Sequence, residues 1–235
     1  MNTPRRRGPG RAPSVGSIFV LVLALTLGLF GVARRLWVSA RMGEGIGTWD
    51  VPTLEWMVAH RTPVATNVAW FFSTLGSAWG MTTIALLATG FLAWRTRSYW
   101  PVLLIGFTAA GSVALTVLLK NLTARARPLL AQVVEPLPTS YAFPSGHTLN
   151  ATAILGVVGY LLFLVLRSQL ARILSLVSLG ILVLAIGWSR IYLGHHWLTD
   201  VLQGLLIGGA WAAIVISLHH FVVLKNRRFA HWIMV

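Results

Sequence analysis

The stretch Trp188-Ser189-Arg190-Ile191-Tyr192-Leu193-Gly194-His195-His196-Trp197-Leu198-Thr199-Asp200 is polar and lodged between two strongly apolar segments. Ionisable groups beside a membrane core are costly and tend to be functional. If a helix begins at or just before Leu198, Asp200 lies on the same face as His196, four residues earlier. Asp200 can then orient the His196 imidazole. An oriented imidazole beside Arg190 suits either phosphoryl transfer or a metal site, and this stretch alone leaves both open.

Two further stretches carry chemistry. Lys120-Asn121-Leu122-Thr123-Ala124-Arg125-Ala126-Arg127-Pro128 puts three cations within eight residues, a cluster suited to an anion, with headgroup anchoring as the plainer alternative. Tyr141-Ala142-Phe143-Pro144-Ser145-Gly146-His147 leads into an apolar run. Pro-Ser-Gly ahead of a helix offers backbone N–H groups and a hydroxyl where phosphate is favoured by hydrogen bonding and by the helix dipole. His147 stands where it can give or take a proton, although a lone histidine carries little information.

The elements that must position these groups are membrane helices. The 235 residues are 56% hydrophobic and 10% charged, with a mean hydropathy of +0.75, which excludes an ordinary soluble domain and predicts a single all-α, polytopic bundle. A net charge of +14, from 19 Lys+Arg against 5 Asp+Glu, would suggest nucleic acid if it formed a face on a soluble fold. Here the basic residues lie between apolar runs, so topology explains most of them and no nucleic-acid partner is expected. With no cysteine, disulfides, thiolate nucleophiles and sulfur-ligated metals are excluded.

Six spans are predicted, over Ser17 to Ala33, Asn67 to Trp94, Trp100 to Leu119, Thr148 to Leu166, Ile173 to Leu193 and Leu198 to Leu224. They form one domain over residues 17–224, with a disordered basic tail over 1–16 and a second tail over 225–235. The first run is read as an anchor and not a signal peptide, because it is long and Arg34-Arg35 follow where a small-residue cleavage site would stand. The connections Arg95 to Tyr99 and Arg167 to Arg172, and both tails, are basic and therefore cytoplasmic. All five acids, Glu44, Asp50, Glu55, Glu135 and Asp200, then fall on the outer side, against four outer arginines, Arg34, Arg35, Arg41 and Arg61. In the first outer segment Val51, Leu54, Met57 and Val58 recur at helical spacing, which predicts a short interfacial helix anchored by Trp49 and Trp56. Small residues around Gly76, Ser77 and Gly80 permit close helix approach in the second span.

Parity joins the three stretches. In an alternating bundle the end of the third span, the start of the fourth, the end of the fifth and the start of the sixth share the outer face. Lys120 to Arg127, Ser145 to His147, Arg190, and His196 to Asp200 occupy those four places. One outer pocket of cations, two histidines, a carboxylate and a Pro-Ser-Gly turn makes an oxyanion site with its own candidate nucleophile and acid.

These three stretches resemble the signature of the membrane-bound phosphatidic acid phosphatase type 2 superfamily of lipid phosphatases. That signature reads Lys, six residues, Arg-Pro; then Pro-Ser-Gly-His; then Ser-Arg, five residues, His, three residues, Asp. Lys120 with Arg127-Pro128, Pro144-Ser145-Gly146-His147, and Ser189-Arg190 with His196 and Asp200 match every fixed position in order. The resemblance implies that His196 attacks phosphorus to give a phosphohistidine, that Asp200 orients it, and that His147 protonates the leaving oxygen. Lys120, Arg127, Ser145, Gly146 and Arg190 would hold the phosphoryl group. Arg125 and His195 fill no fixed position and receive no role; His195 stands five residues from Asp200, not four.

No metal or other cofactor is implied. A zinc reading of His147, His196 and Asp200 is allowed by ligand type, but the crowd of cations opposes it. The implied substrate is a lipid phosphate reached from the bilayer, such as undecaprenyl pyrophosphate, phosphatidylglycerophosphate, phosphatidic acid, diacylglycerol pyrophosphate or a lipid A phosphate. The first two are favoured by an arginine-rich, bacterial look. The implied location is the cell inner membrane with the site on the outer, periplasmic side; oligomeric state is not indicated. Rival readings are a lipid phosphotransferase, a vanadate-dependent haloperoxidase, and a non-enzymatic lipid transporter or binding protein.

Overall fold

The computed structural model describes residues 15–225, apart from 130–132 and 137. The expected tails therefore lie almost wholly outside the described residues. The described residues are 81% helix, with no strand among them. Helix α1 (Val15–Met42) is followed by a 3-10 turn (Gly45–Trp49), α2 (Asp50–Ala59), α3 (Pro63–Leu75), α4 (Ala78–Thr96), α5 (Trp100–Thr123), α6 (Gly146–Val165), α7 (Gln169–Tyr192) and α8 (Leu198–Lys225).

Local chemistry sets many of these boundaries. Thr62 and Ser168 cap α3 and α7 by accepting from the amides of Ala65 and Ala171, and Pro63 and Pro101 stand in the first turns of α3 and α5. Helix α5 ends where Ala124 takes a left-handed φ of 45° and its N–H bonds the Lys120 carbonyl.

Helices α5 to α8 are each long and apolar enough to cross a membrane, and α3 with α4 makes a fifth crossing if the two, bent by 59°, count as one broken span. The sequence predicts an unbroken second span, but Ser77 stops it. Its hydroxyl accepts from the Gly80 amide at 3.2 Å and donates to the Thr74 carbonyl at 2.7 Å, starting a new helix. Gly80 lets that turn fold onto α3, since a Cβ there would lie 2.2 Å from the Thr74 carbonyl oxygen. Helix α1 also runs further than the span predicted to end at Ala33. Arg34, Arg35 and Arg41 are good helix formers and continue it until Gly43 turns out with φ +67°.

A helix stands where the interfacial one is expected. Leu54 of α2 is wholly buried, whereas Trp49 and Trp56 are exposed.

Helix α6 is the central post. Its residues Ile154, Val157, Val158 and Leu161 join Leu92 of α4, Leu104 and Ile105 of α5, and Ala212 and Val215 of α8 in one core cluster. Its Ala151 and Leu155 join Met81 of α4 with Val183 and Ile186 of α7 in another. Between α6 and α8 the approach is closer than any side chain allows. A Cβ on Gly204 would meet the Ser145 carbonyl oxygen at 2.9 Å, and one on Gly208 the Leu149 carbonyl oxygen at 2.5 Å. That contact locks the first turn of α6 against the first turns of α8.

Candidate active site

The third sequence stretch folds into a helix end, a tight turn and a helix start. Helix α7 ends at Tyr192, Gly194 takes φ +75°, and the amides of His195 and His196 both bond the Arg190 carbonyl, at 3.0 and 3.1 Å. Helix α8 starts at Leu198, so Asp200 lies in its first turn. One oxygen of Asp200 accepts from the Trp197 amide at 2.9 Å and lies 3.3 Å from Nδ1 of His196, the i,i+4 pairing that the spacing predicts. Both side chains are buried.

The second stretch is fastened to the third by main chain alone: the Ser145 amide donates to the Asp200 carbonyl at 2.9 Å. Ser145 precedes α6 without capping it. Its hydroxyl instead accepts from Thr148 Oγ1 at 3.0 Å, so the side chain satisfies none of the first amides of the helix. Gly146 keeps this turn open to α5. A Cβ there would meet Thr116 at 2.9 Å and the Lys120 Cε at 3.8 Å.

The first stretch adds the cations. Lys120 Nζ donates to the Tyr141 carbonyl, which also accepts from Arg127 Nη2 at 3.3 Å. Arg127 is further held by the Ser140 carbonyl at 2.6 Å from Nε, and its Nη1 reaches the His195 carbonyl and lies 3.3 Å from His196 Nε2. Arg190 is buried, with Nη1 donating to Ser73 Oγ of α3 and Nε left with no partner. A buried guanidinium N–H without an acceptor is unusual and suits an anion.

Charge and burial act together on the histidines of the turn. Burial first, and then the charges of Arg127, Arg190, Lys120 and His147, hold the His196 imidazole well below its ordinary pKa of 6.5. His196 is accordingly neutral at neutral pH, with Nδ1 towards Asp200 and Nε2 as the acceptor that faces Arg127 Nη1. Arg127 is lowered mainly by burial but stays charged, Asp200 opposing the shift. His195 points elsewhere. Its Nε2 lies 2.8 Å from the Val134 carbonyl and its ring meets Trp70 edge-on, while burial, chiefly, brings its pKa down to about 4.

His147 faces a cleft. A cavity of about 480 Å³ runs between α4, α5 and α6, with Gly146, His147 and Asn150 at its polar end and residues such as Met81, Leu86, Ile105, Val113 and Ile154 along its apolar walls. The break between α3 and α4 borders it at Gly76, where a Cβ would lie 3.3 Å from the His147 ring. Among the described residues no three histidine or acidic side chains are grouped to hold a metal ion.

The charges that act on His196 come from Lys120, Arg127, His147 and Arg190, its ring lies beside Asp200, and Ser145, next to Gly146 in the chain, is bonded through its amide to the Asp200 carbonyl. The structure also adds residues that the sequence reading passes over. Arg125, grouped there with the anion-binding cations, turns to the back of the site and donates to Asp200 Oδ1 at 2.5 Å and to Asp50 Oδ2 at 2.7 Å. Asp50 in turn accepts from the Thr199 amide and hydroxyl, at 2.8 and 2.7 Å. One signal was present: Asp50 and Asp200 are two of only five acids, and an arginine drawn to the same face had few other partners to choose.

A family model described as PAP2 superfamily matches residues 101–223. Phosphatidylglycerophosphatase B of Bacillus subtilis is 31% identical over 157 residues, covering 64% of this chain and 73% of that protein. Undecaprenyl-diphosphatase of Sulfolobus acidocaldarius is 24% identical over 202 residues, 84% of this chain and 86% of that one. Among solved structures, the transmembrane PAP2-type phosphatidylglycerolphosphate phosphatase of Bacillus subtilis superposes with a TM-score of 0.76 at 22% identity, over 83% of this chain and 96% of its own. That likeness is one of fold.

Proposed function

The chain belongs to the PAP2 superfamily, and from that premise we propose that it hydrolyses the phosphate or pyrophosphate of a membrane lipid through a phosphohistidine on His196. The observation that carries this reading is the cleft: an apolar space of about 480 Å³ opens at its polar end onto Gly146 and His147, beside the cation-lined turn. A lipid tail fits the walls while its phosphate reaches Lys120, Arg127, Arg190 and the free amides after Ser145. The unpartnered Nε of Arg190 supplies a waiting donor.

His196, neutral and oriented by Asp200, attacks phosphorus with Nε2 as Arg127 moves from that nitrogen to a phosphoryl oxygen. His147 protonates the leaving oxygen, and the P–O bond breaks. Water then attacks the phosphohistidine, giving its proton to His147, and inorganic phosphate leaves with His196 restored. Positive side chains supply the charge stabilisation that Mg²⁺ provides in kinases, so no metal takes part.

Helix α1 serves as a further span, making six, and α2 rests in the interface through Trp49 and Trp56. The basic inner loops set the pocket towards the outer or periplasmic side of the cell inner membrane. The relatives named for phosphatidylglycerophosphate and for undecaprenyl diphosphate make those two lipids the leading substrates, with phosphatidic acid next.

The test is direct. Protein purified in detergent with excess chelator should release phosphate from one or more of these three lipids, and the His196→Ala protein should not. Loss of activity to chelator alone, or full activity in His196→Ala, would overturn the mechanism. Transfer of phosphate to a second lipid in place of water would identify a phosphotransferase using the same pocket.

A further inference from the structure

Arg125 lies among the phosphate-binding cations in sequence but is used differently. Its guanidinium joins two carboxylates, Asp200 Oδ1 at 2.5 Å and Asp50 Oδ2 at 2.7 Å, and also donates to Thr199 Oγ1 at 2.8 Å. Asp50, at the first turn of α2, closes the ring by gripping the Thr199 amide and hydroxyl. The Ala40 carbonyl at the end of α1 takes a further Nη2 bond at 3.2 Å. The guanidinium carbon also lies over the rings of Phe143 and Trp197, 5.9 and 5.7 Å from their centres.

With two carboxylates facing it, Arg125 has no charge to spare for a phosphate. It does have geometry to impose. Asp200 has two oxygens, and the one not facing His196 is the one that Arg125 holds. A planar guanidinium bridging two acids fixes both in place, which a lysine cannot do.

We propose that Arg125 and Asp50 are positioning residues for the reaction, holding Asp200 in the orientation at which it takes the His196 ring N–H and so aiming the other ring nitrogen at phosphorus. This rests on His196 and Asp200 acting as nucleophile and orienter. It also ties α1 and α2, which carry none of the three sequence signatures, to the reacting imidazole. Misaiming a nucleophile by about 1 Å costs about a hundredfold in rate. Arg125→Gln and Asp50→Asn should each lower kcat by about ten- to a hundredfold with KM little changed, because neither residue touches the substrate. Arg125→Lys should fall between Arg125→Gln and the wild type.

A double-mutant cycle separates positioning from a general structural role. The probe is short-chain phosphatidic acid in detergent, with phosphatidylglycerophosphate as a second probe, and kcat and KM are measured for Arg125→Gln, Asp200→Asn and the pair. If Arg125 acts through Asp200, adding Arg125→Gln to Asp200→Asn costs less than about twofold more. Equal losses in both backgrounds, or a change in KM alone, would overturn the proposal. Asp50→Asn measured in the same two backgrounds carries the test if Arg125→Gln does not fold. A His196→Ala protein that remains active overturns the nucleophile reading and this proposal together; an inactive one beside additive losses overturns this proposal alone.

Discussion

Two adjacent glycines of α8 allow the helix contact behind the site to be tested with its own control. A methyl group at Gly208 would stand 2.5 Å from the Leu149 carbonyl oxygen and 2.8 Å from the Thr152 Cβ, whereas ordinary contact starts at 3.4 Å. Neither obstacle can rotate away, so Gly208→Ala must push α6 and α8 apart by up to about 0.9 Å. The overpacking costs about 1–3 kcal/mol, against about 1 kcal/mol gained from replacing glycine by alanine in a helix. The same displacement strains the Ser145 amide bond to Asp200, at the junction between the halves carrying His147 and His196. We expect kcat to fall by about ten- to a hundredfold, given the rate cost of an ångström-scale misplacement. Gly209 has nothing within 4 Å of its added Cβ, so Gly209→Ala should be at least as stable and as active as the wild type. The assays are a thermal melt in detergent and phosphate release from the best lipid substrate. Gly208→Ala and Gly209→Ala proteins with equal melting points and equal kcat would refute the claim that close approach of α6 to α8 registers the site.

Gly106 lines the apolar cleft with open space around its added Cβ. Gly106→Phe should raise KM for a long-chain lipid phosphate about tenfold, a loss of apolar burial worth about 1.4 kcal/mol, and spare a water-soluble phosphate ester; equal losses on both would deny the cleft its role. Stability should fall in acid. Burial keeps His195 unprotonated down to about 4 and His196 lower than its usual value, so below about 6.5 the unfolded chain binds more protons than the folded one. Stability present above that pH is lost progressively as the pH falls towards 4, and His195→Gln should flatten the decline in melting temperature. An unchanged slope in that variant would show that His195 is not part of the effect.

The chemistry was more legible in sequence than the packing that supports it. Apolar runs fixed α5 to α8 closely because a membrane span declares itself by length and composition. Lys120, Arg127, Ser145, Gly146, His147, Arg190, His196 and Asp200 could be gathered by parity, since alternation across a bilayer allows only two sides. Hydropathy predicts an unbroken second span because it treats Gly76 and Ser77 as tolerable, whereas the break depends on where Ser77 finds an amide to cap. Arg125 fills no motif position, and the use it is put to is hidden in sequence for a related reason. Two cations two residues apart look alike in sequence, and only the burial of Asp50 and Asp200 around one of them separates their uses.

The bond from the Ser145 amide to the Asp200 carbonyl involves no side chain. Removing the imidazole proposed as nucleophile therefore leaves the scaffold of the proposed phosphate cradle tied together. An inert His196→Ala protein would retain Lys120, Arg127 and Arg190 and could serve as bait, recovered from native membranes with whatever lipid it had captured and could not process. Mass spectrometry of that extract would let the cell itself name the lipid.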